Sequence, residues 1–320
     1  FGSSFSGLKT SLGPATRLRL SCKLGVSIVS CSVVAAIRRM VRFARFEDEK
    51  GVVSYGIEQG DGSFTYAEGC PLAGSLKDTH CKAVVQRYLA PVAPADIICI
   101  GLNYRSHADE LKLPYPKNPV VFMKPWACAA GHGAEVVKPR ITEKMDYEVE
   151  LAVVIGKECK DVTPEAALDY VLGYTCANDL STRDWQKQPE LAGSQWCRSK
   201  SFDNFAPLGP VLATKDEIPD PHVLRVQTFV NGRQMQDANT NDLIFNVPQI
   251  ISFLSIGSTL RPGTVILTGT PFGVAEGRNP PPYLQPGDKV AVEVEKIGRL
   301  ENSIVADESS VQGFHHKSRM

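Results

Sequence analysis

Tyr147-Glu148-Val149-Glu150-Leu151-Ala152-Val153-Val154-Ile155 is the stretch on which the fold turns. Val149, Leu151, Val153 and Val154 favour extended backbone, so the segment reads as a strand. Alternate residues of a strand point to one face, which places Glu148 and Glu150 side by side. Asn178-Asp179 ends a second β-rich run, Val171–Ala177, and brings a third carboxylate. Neither Tyr147–Leu151 nor Asn178-Asp179 contains a cysteine or histidine to act as a softer ligand. Like charges on one face repel, and burying them unpaired is unfavourable; a hard divalent cation relieves both. Ligands that are all oxygen favour magnesium, calcium or manganese over zinc or copper. A solvent-exposed acidic strand face satisfies the same residues, and the segment alone leaves both open.

Strands dominate the rest of the chain. Ile97–Ile100, Val120–Met123, Thr264–Leu267 and Lys289–Val294 are short β-rich runs. Asn231-Gly232 between Leu224–Val230 and Gln234–Gln236 is a hairpin signal. Val41–Phe46 and Val52–Ile57 open a small N-terminal sheet that ends near Leu89, before a linker marked by Pro91 and Pro94. Helices are few: Thr163–Leu168 with Pro164 in its first turn, and Pro248–Leu254. Ser106–Leu111 reads as a helical turn or a loop, and Gly269-Thr270-Pro271-Phe272-Gly273 as a loop. This pattern predicts a β-rich α+β fold rather than a doubly wound sheet. The expected organisation is a transit peptide over 1–40, an N-terminal subdomain over 41–90, a catalytic domain over 91–308 and a disordered tail over 309–320.

The 320 residues suit one large domain or two small ones. Lysine plus arginine and aspartate plus glutamate balance at 35 each, but unevenly along the chain. Residues 1–46 hold Lys9, Arg17, Arg19, Lys23, Arg38, Arg39, Arg42 and Arg45 and no acid, so the body is acidic, which argues against a nucleic-acid surface. An Arg-rich, Ser-rich leader without acids has the composition of a mitochondrial transit peptide. The apolar run Leu24 to Ile37 alternatively suits a secretory signal, and is too short to span a bilayer comfortably; a merely disordered extension is the third reading. Nine scattered cysteines with no C-x-x-C pair argue for a reducing compartment and against a zinc site.

Five motifs occur in order: Gly101-Leu102-Asn103-Tyr104-x-x-His107-x-x-Glu110; Tyr147-Glu148-Val149-Glu150; Asn178-Asp179-Leu180-Ser181-x-Arg183-Asp184-x-Gln186; Lys200-Ser201-Phe202-Asp203; and Leu267-Thr268-Gly269-Thr270-Pro271. Together they resemble the fumarylacetoacetate hydrolase superfamily, over about residues 95–305. The Arg183-Asp184-Trp185-Gln186 run and the Pro281-Pro282-Tyr283-Leu284-x-Pro286-Gly287-Asp288 segment are similar to a mitochondrial branch of it.

The resemblance implies a mixed β-sandwich roll of the C-terminal-domain type, a homodimer, one magnesium or calcium (manganese also suits) and no organic cofactor. Carried residue by residue, it implies metal ligation by Glu148, Glu150 and Asp179. It implies a His107–Glu110 proton-transfer dyad on a lid, with Lys200 facing a developing enolate. Gln186 and Thr270 match positions that hydrogen-bond substrate. Arg183 suits a substrate carboxylate, or equally a structural bond to Asp184 or Asp203. The substrate expected is a small 2-oxo acid, and the reactions that share an enolate are keto–enol tautomerisation of oxaloacetate, hydrolysis of a C–C bond in acylpyruvates, and oxaloacetate decarboxylation. A catalytically idle metal-binding dimer is a further alternative, which the intact His107, Glu110 and Lys200 disfavour. Trp126-Ala127-Cys128 departs from the small hydroxyl residues common in the family, and is expected to shape the pocket wall.

Overall fold

A computed structural model describes residues 41–191 and 194–308. The leader over 1–40 and the tail over 309–320 lie outside the described residues. The chain begins as an antiparallel meander: β1 (Arg42–Glu47), β2 (Val53–Glu58), β3 (Phe64–Glu68) and β4 (Lys77–Lys82), with β5 (Arg87–Leu89) pairing back on β1. β6 (Ile97–Gly101) leads into the helix α1 (Arg105–Glu110), which settles the choice between a loop and a helical turn there. β7 (Val120–Lys124), β8 (Ala129–Ala130), β9 (Glu135–Lys138) and β10 (Met145–Asp146) follow.

The acidic segment forms β11 (Val149–Ile155), with every residue of the strand buried. β12 (Val171–Asn178) returns antiparallel to it after a 3-10 helix over Pro164–Tyr170, one turn type tighter than the expected α-helix. Then come β13 (Ser181–Thr182), α2 (Arg183–Lys187), α3 (Trp196–Lys200) and β14 (Ala206–Thr214). β15 (Arg225–Val230) and β16 (Arg233–Asn239) form the expected hairpin; Asn231 and Gly232 have φ of 50° and 80°, the positive values that its tight turn demands. α4 (Val247–Ser255) starts at a capping box between Asn246 and Gln249, with Pro248 in its first turn. β17 (Val265–Leu267), β18 (Lys289–Val294) and β19 (Gly298–Ala306) complete the chain.

The strands build a large mixed sheet in the order β4-β3-β2-β1-β14-β12-β11-β17-β6-β7, and a second sheet in the order β16-β15-β18-β19-β9. The N-terminal meander joins the large sheet through β1 and β14. β11 lies at the centre of that sheet, between β12 and β17, and this placement creates the site. Val149 pairs with Asn178 in register, so the chain leaving β12 puts Asp179 opposite Glu148, and Asp179 N donates to Glu148 O at 2.9 Å. On the other side Ala152 pairs with Leu267, which brings the loop after β17 alongside Glu150.

Candidate metal and acid–base site

Glu148, Glu150 and Asp179 are 4%, 2% and 0% exposed, so the acidic face points inward and not to solvent. One oxygen from each lies within 4.8 Å of the others. Oxygens sharing one cation at about 2.0–2.6 Å stand at most about 5 Å apart, so this convergence suits a single hard cation. Three cationic side chains surround the acids, and they are unevenly shared. Lys200 Nζ donates to Glu148 Oε2 at 2.7 Å and to Asp179 Oδ2 at 2.5 Å. Arg183 donates to Glu148 Oε1 at 2.5 Å. Lys124 Nζ forms an ion pair with Asp179 Oδ1 and donates to the backbone oxygens of Leu180 and Phe205. Glu150 has no ion pair among the described residues and accepts only from Gly269 N, at 2.6 Å.

The electrostatics follow from this sharing. Burial alone would raise the Glu148 carboxyl, but the adjacent Lys200 and Arg183 charges hold it well below the usual carboxylate range. Burial, reinforced by the charges of Asp179 and Glu148, pushes Glu150 well above that range. Burial would lower the Lys200 ammonium, yet Asp179 and Glu148 raise it, so it stays charged. Three converging carboxylates, one without a countercharge, form a donor set that fits magnesium, calcium or manganese.

The neighbouring groups are held by a network of buried polar side chains. Arg183 contributes Nε to Asp146 Oδ2 at 2.8 Å and Nη1 to Gln186 Oε1 at 2.9 Å. Its structural partners are thus Asp146 and Glu148, not Asp184 or Asp203; Asp184 instead accepts from the Thr142 hydroxyl and Glu143 N. Gln236 donates to Thr270 Oγ1 at 2.9 Å and accepts from Val149 N, tying the loop after β17 to β11. His107 on α1 places Nδ1 3.0 Å from Glu110 Oε2, and Glu110 Oε1 accepts from Gly273 N at 3.0 Å. Asn103, just before α1, donates to Thr268 O and accepts from Phe245 N.

A cavity of about 560 Å³ brings together His107, Glu148, Glu150, Asp179, Arg183, Gln186, Lys200 and Thr270; Glu110 stands behind His107. Its remaining wall is largely apolar, with Ile100, Leu111, Leu113, Phe122 and Trp196. Trp126 is 75% exposed and borders a different hollow with Arg45 and Arg87, so the turn expected to shape this pocket does not line it. The chain turns away after Lys124, whose side chain is the one that points to the acids. Lys124, Asp146 and Gln236 are site residues that sequence reasoning missed.

Gly269 has φ of +102°, and a Cβ there would lie 2.7 Å from Asn103 Cβ. Gly269→Ala is therefore expected to destabilise the protein by roughly 1–3 kcal/mol through backbone strain. It should also weaken magnesium binding by moving the N–H that holds Glu150. Thermal unfolding with and without magnesium reads both effects; an unchanged melting profile would contradict the strain argument.

The family model described as fumarylacetoacetate (FAA) hydrolase C-terminal matches residues 96–305. An uncharacterized protein of Archaeoglobus fulgidus is 49% identical over 219 residues, covering 68% of this chain and 82% of that protein. A human protein named oxaloacetate tautomerase FAHD2A, mitochondrial, is 42% identical over 250 residues, covering 78% of each. The solved fumarylacetoacetate hydrolase of Exiguobacterium antarcticum superposes with a TM-score of 0.73 at 35% identity, covering 83% of this chain and 100% of that one. The chain belongs to the fumarylacetoacetate hydrolase family, and its β-rich α+β architecture is the fold expected of that family.

Proposed function

We propose that this chain is a divalent-metal-dependent enzyme that interconverts the keto and enol forms of oxaloacetate. One observation carries the reading: His107, oriented by Glu110, lines the same cavity as the three buried carboxylates and Lys200. Similarity to the human protein named oxaloacetate tautomerase supports the choice of reaction.

Glu148, Glu150 and Asp179 would hold the metal. A bound magnesium, calcium or manganese ion would supply a Lewis-acid charge that polarises the 2-oxo group. The Glu110 carboxylate accepts from Nδ1–H of His107, which leaves Nε2 as the basic nitrogen. His107 Nε2 takes a proton from C3 of the keto form as the C2–C3 double bond forms, and the imidazolium then returns that proton to the C2 oxygen, which completes the enol and restores the neutral base. The reverse sequence returns the ketone. Lys200 opposes the negative charge that develops on the C2 oxygen. Arg183, Gln186 and Thr270 hold the carboxylate next to the 2-oxo group.

We further infer a catalytic domain over 91–308 with a subdomain over 41–90, and a mitochondrial matrix location. The leader composition and the mitochondrial label of the human relative support that location. A homodimer is inferred as well; exposed Val121, Met123 and Trp126 along and beyond β7 give an apolar surface of the kind that associates. No helix among the described residues is long and apolar enough to cross a membrane.

A second reading, addition of water to an acylpyruvate with C–C cleavage, is favoured by the apolar half of the cavity and by similarity to the Exiguobacterium antarcticum hydrolase. One experiment separates the two. The full chain with magnesium is given fresh enol-oxaloacetate, and loss of enol absorbance is followed alongside a pyruvate assay. Enol loss above the spontaneous rate without pyruvate supports the tautomerase. Enol loss with pyruvate indicates decarboxylation. No acceleration sinks the tautomerase and makes acylpyruvates the next substrates to assay.

A further inference from the structure

The cations lining the cavity are Arg183, Lys187 and Lys200. Arg183 and Lys200 are buried and committed: Arg183 to Asp146, Glu148 and Gln186, Lys200 to Glu148 and Asp179. Lys187 differs. It is the last residue of α2, its side chain is 47% exposed, and among the described residues its one ion pair is with Glu276 Oε1 at 2.8 Å. Glu276 also lines the cavity, and its other oxygen accepts from the Tyr283 hydroxyl. Glu276 therefore keeps a partner if Lys187 leaves. A half-exposed pair of this kind contributes little to stability, so exchanging it for another carboxylate is close to neutral. A dicarboxylate brings a distal carboxylate beyond the 2-oxo acid head that Arg183 and Lys200 face in the proposed function, and the cavity wall offers Lys187 as the further cation for it.

We propose that Lys187 releases Glu276 to bind the distal carboxylate of the substrate, and so sets a preference for 2-oxo dicarboxylates over 2-oxo monocarboxylates. This rests on the proposed function for the nature of the 2-oxo acid head. Glu276 acts as the resident competitor: it holds the ammonium at the cavity wall until a substrate carboxylate replaces it.

The test compares oxaloacetate with 2-oxobutanoate, which has the same chain length and a methyl group in place of the distal carboxylate. Calorimetric titration of the full chain with magnesium measures binding of each, beside the enol assay. The wild type should bind oxaloacetate more tightly. Lys187→Met should reduce that selectivity about tenfold, the scale of one charge-assisted hydrogen bond. Glu276→Gln keeps the Tyr283 contact but removes the competing charge, so it should tighten oxaloacetate binding. The two substitutions thus act in opposite directions, which a merely structural ion pair would not produce. Equal weakening of both ligands by Lys187→Met, or the same direction of change in both variants, overturns the proposal. So does a wild type without selectivity. Selective binding without enol turnover would sink the tautomerase reading and leave Lys187 in its role, and binding of neither ligand would overturn both.

Discussion

Glu150→Gln is expected to lower magnesium-dependent turnover about 10³-fold, the scale of several kcal/mol of charge stabilisation. The amide retains an acceptor for Gly269 N, so the loop after β17 should stay in place. The same substitution should raise the melting temperature in metal-free buffer at pH 8. Glu150 is buried against Asp179 and Glu148 with no cation of its own, and its carboxyl is pushed well above the usual value. The sign follows from linkage. A carboxyl that binds its proton more tightly when folded favours the folded state most below its unfolded pKa. That contribution is lost as pH rises through the folded pKa. Metal-free wild-type protein should thus lose stability as pH climbs above the ordinary carboxylate range, and Glu150→Gln should flatten that slope. Magnesium should stabilise the wild type by mass action and the variant much less. Thermal melts across pH, with magnesium or chelator, read all of this; a variant that keeps full activity would remove Glu150 from the metal site.

His107→Ala is expected to lower the enolisation rate by about 10²- to 10⁴-fold, the usual contribution of a positioned acid–base group. Magnesium affinity should be retained, because His107 lies on α1 and the three carboxylates lie on and beside the central strands. Glu110→Gln should have a smaller effect of about tenfold, the loss typical of an orienting partner. It keeps a side chain able to accept from Gly273 N but weakens the hold on the ring. Steady-state rates with a parallel magnesium titration separate these outcomes. If His107→Ala lowers metal affinity and rate together, the proton-transfer role fails.

Much of this site is readable in the chain because its parts are local. Val149 to Ile155 carries its own β-forming residues, so the strand and the shared face of Glu148 and Glu150 follow from alternation alone. The Asn231-Gly232 turn and the Asn246–Gln249 cap likewise depend on neighbours within a few residues. The missed parts depend on distant partners. Lys124 follows a run of apolar residues, and nothing local marks it for burial. It is buried because Leu180 O, Phe205 O and Asp179 reach it from far along the chain. Arg183 allowed several readings until Asp146 and Glu148 were seen beside it. Ala206–Thr214 does not read as a strand, since Pro207, Gly209 and Pro210 interrupt it, yet neighbouring strands hold it in the sheet. Gln236 sits where a hairpin strand ends in sequence, and nothing local shows that it will reach Thr270.

The position of β11 between β12 and β17 also divides the site by timescale. Amides of a strand paired on both sides exchange with solvent only when the whole domain opens, whereas a short peripheral helix frays on its own. The backbone that carries Glu150 should therefore be among the slowest-exchanging in deuterium, while the six residues of α1, with His107 among them, exchange far sooner. The acids would then be a permanent fixture of the folded chain, and the proton-transfer group could come and go within the lifetime of a single native molecule.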